Sequence, residues 1–158
     1  MSHSSSELVR HAPARQAPVH ASFFRADPVD RIALIKAGIL ASEAKIVIGY
    51  VSDNQGEALR ALDIAPATLN RKIKSRERLA SAESERVLGV ARLLGQVQAM
   101  VEEAGEPQGF DAGRWLQHWL GEPLPALGNR RPRDLLDTIE GQSLVSATLA
   151  RIGSGAYV

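Results

Sequence analysis

The sequence predicts an all-α fold: an N-terminal helix-turn-helix domain, a long linking helix, and a small C-terminal helical domain. Three observations predict it. Apolar residues recur at helical spacing, most plainly through Val87, Leu88, Ala91, Leu94, Val97, Met100 and Val101. Two short apolar helices around Leu59 and Leu69 are separated only by Asp63-Ile64-Ala65, the outline of a helix-turn-helix. Aromatic residues make up only 4% of the chain, too few for a β-sandwich built on aromatic pairs.

The bounds set by composition agree. A chain of 158 residues holds one or two small domains. It has no cysteine, which excludes disulfides, thiolate metal sites and a cysteine nucleophile. No apolar run approaches the ~20 residues that span a bilayer, and no basic-then-apolar leader opens the chain. A cytoplasmic protein without a membrane partner is expected. The net charge of +1 is uninformative as a total, so its distribution carries the argument.

In order along the chain, residues 1–24 read as a flexible arm rich in Ser, His, Ala and Pro. Pro13 and Pro18 break any helix there. Arg10 and Arg15 would be the groups available for a DNA-touching arm. A helix-turn-helix domain with its linking helix is expected over 25–104. Asp27-Pro28 starts its first helix as N-cap and first residue. Ser42 is a candidate cap for a second helix over Ala44–Val51, although Ile46, Val47, Ile48 and Val51 also suit a strand. Ser52 and Gln55 have capping-box spacing and start a third. Pro66 starts the fourth, with Leu69 and Ile73 inward. A long helix begins near Ser81 and stops at Gly105 and Pro107.

Residues 105–158 form the expected C-terminal domain. Asp111 is a candidate cap for a helix that carries Trp115, Leu116, Trp119 and Leu120. Gly121 and Pro123 end it. A proline-bearing loop and a short turn over Arg133–Leu136 follow. Asp137 and Glu140 are spaced as a cap and its partner for a last helix over Thr138–Ile152. Its apolar positions include Ile139, Leu144, Val145, Leu149 and Ile152.

The segment Pro66 to Leu79 sets Arg71, Lys72, Lys74, Arg76 and Arg78 against one acid, Glu77. A solvated helix face is the plain explanation of such a run. Its place in and just after the second helix of the motif favours DNA, because that helix enters the major groove. Thr68 and Asn70 are candidates for a base edge or a phosphate. Arg71 is a candidate for a two-pronged contact to guanine. Lys72, Lys74 and Arg76 are candidates for phosphates. One such motif is small for tight specific binding, so a homodimer on a near-palindromic operator is expected.

At the other end, Trp115 and Trp119 share one helical face, suited to a core or to a partner. The prolines around Leu127 limit the loop's freedom and the ordering cost of binding. Arg151 closes the last helix, where its charge suits the C-terminal carbonyls. Gly153 and Gly155 loosen the tail before Tyr157 and the Val158 carboxylate.

Two sets of residues resemble one known family. Pro132-x-x-Leu135-Leu136-Asp137-Thr138-x-x-Gly141, followed by Leu149-x-Arg151-Ile152-x-x-Gly155, resembles the toxin-binding domain of the Xre/MbcA/ParS antitoxins. Thr68-Leu69-x-Arg71 and Leu79-x-x-x-Glu83-Ser84-Glu85-Arg86 resemble the helix-turn-helix half of the same family, a Cro/Xre-like domain. The resemblance spans roughly Ile64 to Val158. Asp63 stands where glycine is usual in the turn, Ala65 where a serine cap is usual, and Lys72 where an apolar residue is common.

The resemblance implies an antitoxin of a type II toxin-antitoxin module. Its partner would be a cognate RES-domain toxin that consumes NAD or transfers ADP-ribose, and its C-terminal region would cover the toxin's active-site entrance. Trp119, Leu127, Arg151, Ile152, Tyr157 and Val158 are then the candidate toxin contacts. Repression of its own operon is the implied role of the DNA-binding half. No cofactor and no metal site are expected, and the four histidines lack metal-ligand spacing. No acid, base and nucleophile are assembled, so an enzyme is not expected. The competing readings are a dimeric regulator without a toxin and an adaptor that does not touch DNA.

Overall fold

The computed structural model describes residues 23–105 and 108–155. Seven α-helices and two 3-10 turns are named here in chain order, and the described residues contain no strand beyond two isolated bridges. The arm expected over 1–24 lies outside the described residues as far as 22. Its last two residues do not behave as an arm. Phe23 is buried in the core, and the Phe24 side chain lies where a Cβ on Gly95 would stand.

Helix α1 (Pro28–Ala37) starts as the sequence predicts, with the Asp27 side chain accepting the Val29 amide at 2.9 Å. Gly38 ends it at φ 77°, and a Cβ there would overlap the Leu79 carbonyl. Helix α2 (Ala41–Ile48) resolves the helix-or-strand ambiguity. Ala41, Ala44, Val47, Ile48 and Val51 are buried while Ile46 is 67% exposed, which is a helical stripe and not alternation. Ser42 is not its cap. The helix begins at Ala41, whose amide donates to the Glu77 carbonyl at 3.0 Å, so a distant carbonyl replaces the expected side chain.

Helix α3 (Gln55–Ala61) is capped by Asn54, which accepts the Glu57 amide at 3.0 Å, and not by Ser52. Ser52 serves one step earlier, accepting the Asn54 amide at 3.2 Å. The turn into α4 (Pro66–Lys74) puts Asp63 at φ 51°, a left-handed position that aspartate tolerates in glycine's place. Ala65 flanks α4 without a side-chain cap, and Pro66 starts it.

Helix α5 (Ser81–Glu103) is about 35 Å long at helical rise. It touches α1, α2, α6 (Ala112–Leu120) and α7 (Ile139–Gly153). Its Val87, Leu88, Leu93, Leu94 and Val97 are buried. Asp111 caps α6 by accepting the Arg114 amide at 3.0 Å. Leu116 and Leu120 of α6, Leu136, and Val145 and Leu149 of α7 join Ile48, Leu62 and Leu69 in one continuous core. Turns η1 (Pro125–Leu127) and η2 (Pro132–Leu135) bridge α6 and α7.

Helix α7 is capped by Thr138, which accepts the Gly141 amide at 3.0 Å, and not by Asp137. Val145, Thr148 and Leu149 take the buried face of the helix, which leaves Ile139 and Leu144 outward, 48% and 47% exposed. A Cβ on Gly141 would overlap the Leu135 carbonyl, so glycine lets η2 lie against the first turn of α7.

Candidate nucleic-acid and partner interfaces

Helix α4 buries Leu69 and turns Asn70, Arg71 and Lys74 outward, with Thr68 half-buried beside them. Arg71 Nη1 stands 3.4 Å from Glu77 Oε2, and both side chains are largely exposed. Such a pair is weak in water and is easily exchanged for a phosphate or a base. Lys74 and Arg76 have no ion-pair partner among the described residues, and Arg76 sits at φ 54° where the helix ends. These are the exposed cations that α4 and the turn after it present.

Lys72 is different. Its Nζ lies 3.8 Å from Glu83 Oε1, and the two side chains are only 16% and 18% exposed. It ties α4 to the start of α5, so the phosphate contact expected of it is replaced by an internal one. Arg78 is likewise engaged, donating from Nη1 to the Gly38 carbonyl at 2.8 Å.

At the other end the expected partner contacts divide. Trp119 is 7% exposed and Leu127 is 6% exposed, so both serve packing in this conformation. Trp119 stacks on Trp115 with centroids 6.0 Å apart and planes 10° from parallel. Ile152 is half-buried against the core, and Arg151 is exposed in the last turn of α7. Tyr157 and Val158 lie outside the described residues. An apolar groove of about 340 Å³ opens beside the end of α7, lined by Val97, Met100, Val101, Phe110, Trp115 and Gly153.

A polar cluster that no sequence pattern marks joins the two ends. Glu57 on α3 accepts from Arg133 Nη1 at 2.9 Å and Arg131 Nη1 at 3.0 Å. Ser52 Oγ donates to the second carboxylate oxygen at 3.2 Å. The Arg133 hydrogen bond, helped by that guanidinium's charge and by Ser52 and Arg131, holds the Glu57 carboxyl below its ordinary range against the opposing effect of burial. Arg131 also grips Asp134 at 3.1 and 3.0 Å, and that carboxylate, with Glu57 second, raises its own pKa. No local signal marks this cluster, because Glu57 lies more than seventy residues before its arginines.

Comparison with known proteins adds to this geometry. Residues 30–92 match the Antitoxin Xre-like helix-turn-helix domain. Residues 109–155 match the Antitoxin Xre/MbcA/ParS C-terminal toxin-binding domain. A protein of Sphingobium sp. (strain YBL2) named "Prs ADP-ribosylating antitoxin" is 51% identical over 136 residues, 86% of each chain. The chain belongs to the Xre/MbcA/ParS antitoxin family. "Antitoxin Xre" of Yersinia enterocolitica serotype O:8 / biotype 1B (strain NCTC 13174 / 8081) is 28% identical over 123 residues, 78% of each chain.

The family's two segments fall on the two surfaces. The helix-turn-helix match takes in α4 with Asn70, Arg71 and Lys74, and runs into α5 as far as Arg92. The toxin-binding match takes in α6, both 3-10 turns and α7, and therefore Arg131, Arg133 and the groove residues Phe110, Trp115 and Gly153. No helix among the described residues is long and apolar enough to cross a membrane. No group of three or more His, Cys, Asp or Glu residues among them is placed to hold a metal ion.

Proposed function

We propose that this chain is the antitoxin of a two-gene module. It binds a RES-domain toxin that consumes NAD or transfers ADP-ribose, and neutralises it by covering the active-site entrance. As a homodimer in the cytoplasm it represses its own operon through α4. The name of the Sphingobium relative, which joins antitoxin with ADP-ribosylation, supports the choice of partner chemistry.

The observation that carries the reading is the pairing of two outward surfaces on one core. Asn70, Arg71 and Lys74 present hydrogen-bonding and cationic groups from the helix that a helix-turn-helix uses for bases. The family's toxin-binding segment ends on an exposed Arg151 beside an apolar groove. Occlusion of a preformed pocket needs shape and affinity from the blocker and no chemistry of its own. Arg151, Tyr157 and Val158 are assigned to the entrance of the toxin's site. Trp119 and Leu127 are buried and are left out of the partner contact.

The test is co-expression with the product of the neighbouring gene, followed by native mass measurement of what co-purifies. A stable complex and restored growth are expected. A chain lacking residues 154–158 should keep its fold and its DNA affinity and lose neutralisation. Full protection by the shortened chain would place the blocking contact elsewhere, and no complex at all would end the antitoxin reading.

A further inference from the structure

The first helix of the helix-turn-helix is gripped by the toxin-binding segment directly at its N-terminal end and through Arg86 of α5 at its C-terminal end. At the N-terminal end, Arg133 and Arg131 hold Glu57, and Arg133 Nη1 also reaches Ser52 Oγ at 3.4 Å. Arg133 is 9% exposed and is packed on Gly121, where a Cβ would stand 2.5 Å from its Nη2. Its buried Nε has no hydrogen-bond partner among the described residues. The guanidinium is therefore fixed by its surroundings and has little room to follow Glu57 if α3 shifts.

At the C-terminal end, Arg86 of α5 donates from Nε to the Leu62 carbonyl at 2.6 Å and from Nη2 to the Asp63 carbonyl at 3.0 Å. These are the last carbonyl of the α3 end and the first of the turn into α4. Arg86 is itself held by α7. Gln142 Nε2 donates to the Arg86 carbonyl and to the Leu136 carbonyl, both at 2.9 Å. The same amide fills the space over Gly89, which has no side chain to displace it.

Helix α3 has seven residues, too few to hold its own geometry in water. Its pose comes from what grips it. Helix α4 follows that pose, because only Leu62 to Ala65 join the two and the Ile64 amide is bonded back to the Leu59 carbonyl at 2.9 Å. Base reading is sensitive to such a pose, since two-pronged contacts need both bonds aligned. Phosphate contacts from long flexible side chains tolerate displacement and carry no sequence information.

We infer that Glu57, Arg133 and Gln142 are positioning residues for DNA recognition, through which the toxin-binding segment sets the pose of the reading helix. The inference rests on the DNA-binding reading above and adds a direction to it. The C-terminal segment tunes selectivity for the operator, and, by linkage, a partner that prefers one pose of Arg131–Leu135 is felt at α4.

The test uses the full chain with Gln142→Leu and, separately, Glu57→Gln. Binding is measured to a labelled duplex from the region upstream of its own gene and to a scrambled duplex, with the active fraction counted by stoichiometric titration. Both variants should lose about tenfold in preference for the upstream duplex, the worth of one misaligned base contact. Scrambled-duplex affinity should stay within about twofold and the salt slope should be unchanged, because the phosphate contacts remain. Preference kept at the wild-type level overturns the inference. So does a parallel loss on both duplexes that follows the active fraction, which marks a merely structural role. Should Gln142→Leu fail to fold, Glu57→Gln, which keeps the side chain's shape, decides alone. A wild-type chain that does not distinguish the duplexes would end the DNA-binding reading itself, and the inference with it.

Discussion

Ser84 and Ile39 are joined across the fold by one buried hydrogen bond. The Ile39 amide donates to Ser84 Oγ at 3.0 Å, and the same hydroxyl donates to the Leu79 carbonyl at 3.3 Å. Ser84 has no exposed surface, so nothing else can satisfy these groups. The serine between two glutamates is therefore a structural latch between the α1–α2 corner and the start of α5. Ser84→Ala should destabilise the protein by about 1–3 kcal/mol, the cost of a buried donor left without a partner. Chemical denaturation at equilibrium measures it.

Gly141 is expected to tolerate no side chain. Gly141→Ala places a methyl on the Leu135 carbonyl, and backbone cannot yield as a side chain does. The expected loss is about 1–3 kcal/mol, as for overpacked sites. It should fall first on the η2–α7 corner, so toxin binding should weaken before global unfolding. Amide exchange at residues 135–145, compared between wild type and variant, would locate the loss.

The two exposed cations of α4, Arg71 and Lys74, should separate in their effects on DNA. Arg71→Ala should cost about 1–3 kcal/mol of discrimination at one base pair. Its exposed partner Glu77 holds it too loosely to matter. Lys74→Ala should weaken all duplexes alike and reduce the salt slope by about 1. Lys72→Ala should act on stability through Glu83 and leave the salt slope intact. Fluorescence anisotropy over a salt series reads all three variants.

Trp119 should prove to be a fold residue. Trp119→Ala removes a buried ring stacked on Trp115 and should cost about 3–5 kcal/mol. Toxin affinity per folded molecule should change little. A folded Trp119→Ala protein that no longer binds toxin would return this ring to the interface.

Stability should fall in acid in a way that Glu57 controls. Its carboxyl is held below the ordinary value of 4.5 in the folded state, chiefly by the Arg133 hydrogen bond. Above that value both folded and unfolded chains carry the charge, and the full contribution is present. As the pH falls from 4.5 toward the folded value, the unfolded chain takes up the proton first, and the contribution is lost. Glu57→Gln should therefore lower the melting temperature at neutral pH, and the gap to wild type should narrow as the medium is acidified.

What was legible in the sequence was mostly local. Helix existence followed from apolar spacing, and Asp27, Pro28, Asp111 and Pro66 marked true helix starts because caps act within one turn. Ser42, Ser52 and Asp137 were wrong caps for a shared reason. Each stands one to two residues from the true boundary, and the choice there is made by tertiary contacts such as Ala41 on the Glu77 carbonyl. The exposed cations of α4 could be read from the motif, but the capture of Lys72 by Glu83 depends on how α4 meets α5. Trp119 suited a core or a partner by its spacing and Leu127 was a candidate partner contact, and only packing shows both to be buried. The Glu57–Arg133 pair was invisible because no periodicity links residues so far apart.

Helix α5 lends its sides to both ends of the molecule at once. A cell protease cutting just beyond it would strip Leu94 and Val97 of their cover along with the antidote end. What remained would be sticky debris headed for degradation. Anyone trading toxin specificities between relatives by gene fusion should for the same reason move α5 together with the C-terminal piece.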